Sequence, residues 1–90
     1  MNKIYIIAGT GDQFKIFSRQ LAELMTESGI SFNMCDFVYV DSIENLLGCR
    51  YKPRAYKVGT WRERNDIDDI SQFLLSVHAS ITEDFIEVML

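Results

Sequence analysis

The apolar run Ile4-Tyr5-Ile6-Ile7-Ala8 breaks at Gly9-Thr10-Gly11 and leads into an amphipathic stretch that ends at Gly29. Strand, glycine turn and helix in that order open a Rossmann-like β-α-β unit, because a strand apolar on both sides needs cover on both faces of its sheet. Thr10 is placed to cap the helix, and Gln13 three residues on completes a Thr-x-x-Gln capping box. Phe14, Phe17, Leu21, Leu24 and Met25 then recur at helical spacing, and Gly29 supplies a left-handed stop.

The remaining chain repeats the alternation in a weaker form. A second strand is expected at Asp36–Val40, and Asp41 or Ser42 caps a short helix, Ile43–Leu47, that Gly48 ends. A linker from Cys49 to Arg54, with the only proline at Pro53, leads to a third strand at Ala55–Val58. Arg62–Asn65 reads as a loop. A C-terminal helix starts near Asp66 with an apolar stripe of Ile67, Ile70, Phe73, Leu74, Val77 and Ile81. The tail, residues 81–90, fits either helix or strand, with helix favoured. The expectation is a single α/β domain over residues 1–90: a three-stranded parallel sheet in the order 2-1-3, flanked by helices.

Ninety residues allow one core, and 48% apolar with 24% charged residues is the balance of a folded chain. The longest apolar run, Ile4–Ala8, is far below the roughly 20 residues needed to span a bilayer, so no membrane partner is expected. Cys35 and Cys49 lie outside any C-x-x-C spacing, and one histidine leaves no structural zinc set. With no secretory pattern, the expected compartment is the cytoplasm.

Charge is distributed unevenly along the chain. Between Arg50 and Arg64 there are six basic residues (Arg50, Lys52, Arg54, Lys57, Arg62, Arg64) against one acid, Glu63. From Asn65 to Leu90 there are six acids and no Lys or Arg. The strip, interleaved with Tyr51 and Tyr56, suits either an acidic protein partner or nucleic acid; the net charge of −4 opposes the second.

In open α/β sheets, ligands gather beyond the carboxyl ends of the strands. Here the loops Gly9–Asp12, Asp41–Ser42 and Gly59–Arg64 meet at that edge. Gly9, Thr10 and Gly11 would offer N–H groups to an anion, and Arg62 and Arg64, on alternate positions, would close on a phosphate or carboxylate. The alternatives are a purely structural turn and a pair of exposed arginines facing the acids at the next helix start. The turn is not a dinucleotide fingerprint, whose third glycine would fall at Phe14, and the phosphate-loop motif is absent. Asp12 would repel a phosphate. Trp61 serves either as a core anchor or, with Arg50, Lys52, Arg54, Arg62 and Arg64, as part of a partner-binding surface.

No catalytic set is expected. His78 falls in the last helix, where a packed or half-exposed histidine is the simpler reading. Asp12, Asp36 and Asp41 could together hold magnesium, but no phosphate-binding motif accompanies them. No cofactor is expected.

The segments Tyr39-Val40-Asp41, Leu47-Gly48-Cys49-Arg50 and Val58-Gly59-Thr60-Trp61-Arg62-Glu63-Arg64-Asn65-Asp66-Ile67 resemble small bacteriophage-encoded accessory proteins. The chain departs from that pattern at Leu47, where a basic residue is expected. The resemblance implies a compact phage-encoded protein acting on host machinery, such as a defence system. With the short length, the unequal charge halves and the lack of a catalytic set, the expected function is a non-enzymatic protein that binds and inhibits or redirects a host protein in the host cytoplasm. The alternatives are a small phosphate- or nucleotide-ligand binder using the carboxyl edge, and nucleic-acid binding through the strip from Arg50 to Arg64.

Overall fold

Among the described residues, four parallel strands form one sheet in the order β2-β1-β3-β4, and the doubly apolar β1 (Ile4–Ala8) lies inside it. The computed structural model describes residues 3–33, 36–49 and 52–83. Along the chain, β1 is followed by α1 (Gly11–Glu27), β2 (Phe37–Tyr39), a 3-10 turn at Ile43–Leu46, β3 (Arg54–Val58), a second 3-10 turn at Trp61–Glu63, α2 (Ile67–Ser76) and β4 (Ser80–Glu83). Ile4 pairs with Phe37 on one side and Arg54 on the other, and Arg54 pairs in turn with Ser80.

The fourth strand corrects the expected three-stranded sheet and the helix favoured for the start of the tail. Ile81, assigned above to the helix stripe, lies on β4 and packs at the margin of the α2-side core. Extended pairing with β3 outcompetes another helical turn because α2 ends earlier, in a six-residue closure: Ala79 N–H donates to Leu74 O at 3.0 Å and His78 N–H to Leu75 O at 3.1 Å. Residues 84–90 lie outside the described residues.

Alternation along the strands makes two cores. Ile4, Ile6, Ala8, Phe37 and Val58 face α1, where they meet Phe17 and Leu21. Tyr5, Ile7, Val40 and Ala55 face the other way, onto Leu46, Trp61, Ile70 and Leu74. Burying each large aliphatic side chain contributes about 1.5–3 kcal/mol, so both helix stripes are needed to hold a sheet this small. Helix α1 begins as its sequence indicates: Thr10 is extended and its hydroxyl accepts from Gln13 N–H at 3.2 Å. No helix among the described residues is long and apolar enough to cross a membrane.

Lys57 corrects the reading of an exposed basic strip. Its place in β3 puts it on the same face as Ala55, beneath α2, where it is 5% exposed. Nζ donates to Ser71 Oγ at 3.1 Å, lies 3.5 Å from Glu83 Oε1 and sits 4.7 Å from the Trp61 ring centre. A buried ammonium needs such partners to offset lost hydration.

Candidate functional site

The three expected loops do converge beyond the carboxyl ends of β1, β2 and β3, but their polar groups are bonded to one another. Gln13, in the first turn of α1, reaches back over the edge. Its Oε1 accepts from Gly9 N–H and from Thr60 N–H, each at 3.0 Å. An amide oxygen therefore takes the hydrogen bonds that an anion at this turn would take from these two groups. The fit is close: a methyl group at Gly9 would collide with the Thr60 hydroxyl, and one at Gly59, whose φ is +61°, with the Gln13 amide. The Thr-x-x-Gln spacing is thus used differently from a simple capping box, with the side chain directed to Gly9 and Thr60.

Arg64 closes the other half of the edge. Its Nε and one Nη2 proton bind the two Asp66 carboxylate oxygens, each at 3.0 Å. The remaining protons go to backbone carbonyls at the ends of the first two strands: Ala8 O at 3.0 Å, Val40 O, and Asp41 O at 2.8 Å. All five guanidinium N–H donors are accounted for, and the side chain is 9% exposed. Arg62 and Arg64 therefore do not act as two matched jaws. Arg62 is exposed and lies over the Trp61 ring, its guanidinium carbon 4.5 Å from the ring centre. Trp61 itself is buried in the α2-side core, with Lys57 against its ring as well.

The basic strip is dispersed by the fold. Lys52 and Arg54 are exposed at the amino end of β3, Arg62 is at its carboxyl end, and Lys57 and Arg64 are internal. Arg50 lies outside the described residues, as does Cys35. Thr10 and Gly11 stand at the start of α1, with the Thr10 hydroxyl occupied by the Gln13 N–H.

His78 follows the end of α2 with a φ of 56°, in the left-handed region. Cys49, a free thiol beside Tyr5, is half-buried, and burial pushes its thiol up. Among the described residues no three His, Cys, Asp or Glu side chains stand close enough to hold a metal ion, and Asp12, Asp36 and Asp41 are not gathered.

Sequence reasoning missed Gln13 as a bridge and Lys57 as a buried cation, while the contact of Arg64 with an acid at the next helix start, Asp66, was among its alternatives. The two-residue spacing of Arg64 and Asp66 and the matching parity of Ala55 and Lys57 were the available signals. No protein-family model, curated protein or solved structure matches the chain.

Proposed function

We propose that this chain is a non-enzymatic interaction protein that recognises a macromolecular surface. What supports this reading is the carboxyl edge of the sheet, where the groups that would greet a small ligand already satisfy one another through Gln13 and Arg64. A ligand entering there would have to displace those bonds, and each would need an equal replacement. The described cations of the basic strip that remain exposed, Arg62 over Trp61 and Lys52 with Arg54, suit an acidic protein surface. In line with the resemblance to bacteriophage accessory proteins, the partner is a host protein that is inhibited or redirected on binding.

Capture from a bacterial lysate tests this with the wild type beside Arg62→Glu. An acidic protein retained by the wild type, lost from the variant and released by about 0.5 M salt is the expected result. Calorimetric binding of ATP or inorganic phosphate by the wild type that strengthens in Gln13→Ala, where the competing amide oxygen is gone, would overturn it.

A further inference from the structure

The outer side of α1 carries Lys15, Arg19, Glu23 and Glu27 at four-residue intervals, so they form one stripe along the helix, and all four are exposed. A groove of about 780 Å³ runs beside that stripe, lined by these four residues together with Ser18 and Ala22. The Ser18 hydroxyl is buried without a hydrogen-bond partner among the described residues.

Two of the three neighbour pairs in this order oppose the helix, and only Arg19–Glu23 joins opposite signs. Lys15 and Arg19 are like-charged neighbours one turn apart, as are Glu23 and Glu27. The sequence of signs also runs against the helix dipole, with bases toward the N-terminus and Glu27 at the last position of α1. Among the described residues none of the four makes an ion pair. A partner that relieves all of these terms at once must run antiparallel and carry the same pattern.

We propose that the outer face of α1 is the contact surface of a symmetric dimer of this chain. With the twofold axis level with Leu21, Lys15 of each copy meets Glu27 of the other, and Arg19 meets Glu23. Both pairings share that one axis, so a single register satisfies all four charges on each copy. The helix dipoles then also oppose one another. Ala22 lies next to the axis and lets the helices approach closely, while Ile16, 50% exposed, contributes apolar burial. Helix α1 has 17 residues and a length of about 25 Å, which places a single-helix contact at the small end of stable interfaces; the dimer is a reversible one. This surface is separate from the Arg62 region.

Sedimentation equilibrium of the full chain tests the proposal. The wild type is expected to show a monomer–dimer equilibrium that shifts toward monomer as salt rises. Arg19→Glu sets like charges against each other and is expected to weaken the dimer about tenfold or more. Adding Glu23→Arg to that variant restores opposite signs across the axis and returns dimerisation to within about threefold of wild type, because only an antiparallel pair is rescued by the swap. Circular dichroism verifies that each variant keeps its fold. A wild type that is monomeric at about 1 mM would overturn the proposal. So would a dimer indifferent to Arg19→Glu, or one that the double swap fails to restore.

Discussion

Gln13 and Thr60 meet across the carboxyl edge of the sheet although 47 positions separate them: Thr60 N–H donates to Gln13 Oε1 at 3.0 Å, and the Thr60 hydroxyl accepts from Gln13 Nε2 at 3.1 Å. One side chain thus locks the turn after β1 to the turn after β3. Gln13→Ala would leave the Gly9 and Thr60 N–H groups without their acceptor, and a loss of about 1–2 kcal/mol in chemical denaturation is expected. A loss below about 0.3 kcal/mol would mean that water replaces the amide at no cost.

Arg64 and Arg62 should differ sharply despite their proximity. Arg64→Ala removes the guanidinium donors to the carbonyls of Ala8, Val40 and Asp41 and to the Asp66 carboxylate, and is expected to cost about 2–4 kcal/mol. Arg64→Lys should recover little, since an ammonium cannot reproduce the planar fork. Arg62→Ala, which loses an exposed cation over Trp61, should cost about 1 kcal/mol or less. Equal losses on denaturation would contradict the assignment of Arg64 as a structural clamp.

The contrast shows what a linear reading can reach. Ile4–Ala8 as an interior strand and the Phe17/Leu21 stripe were legible because each rests on local periodicity. Strand β4 was not, since Ser80–Glu83 is four residues long and its apolar content is a single Ile81 that also fits helical spacing. The clamp was out of reach for another reason: it needs the ends of β1 and β2 side by side, which only the folded sheet provides. Lys57 was misread because a charge in a basic run suggests solvent, while strand parity directs it inward under α2.

The two long helices close with the same hydrogen-bond pattern on different residues. Gly29 (φ 72°) ends α1, and His78 (φ 56°) does the same for α2. A left-handed conformation costs a non-glycine residue about 1–2 kcal/mol, partly offset by the greater chain entropy of glycine when unfolded. His78→Gly is therefore expected to stabilise the protein by about 0.5–1 kcal/mol, seen as a higher denaturation midpoint. A lower midpoint would show that contacts of the imidazole outweigh backbone strain.

Stability should decline on the alkaline side. Burial, with Cys49 nearby as a second cause, pushes the Tyr5 phenol above its ordinary value of 10.0, and burial pushes Cys49 above 9.0. Between those ordinary values and the raised ones, the unfolded chain has lost protons that the folded chain keeps. The folded state then binds more protons, so stability falls as pH rises. Denaturation midpoints should be level in this respect below about pH 8.5 and drop beyond it, with Tyr5→Phe flattening the drop above pH 10. A midpoint that rises across that range would refute the assignment.

Every strand pairing in this sheet is parallel, and each joins partners far apart in sequence: Ile4 with Phe37, Ile4 with Arg54, Arg54 with Ser80. Among the described residues no hairpin is available to seed the sheet, so for these strands chain closure must come before they are rewarded with hydrogen bonds. Of the described elements, helices α1 and α2 are the long ones able to form from neighbours alone. Acquisition of the fold should accordingly be slower than for a helical bundle of equal size, with the chain passing through an interval in which β1, the most apolar segment, is synthesised but has neither flank in place.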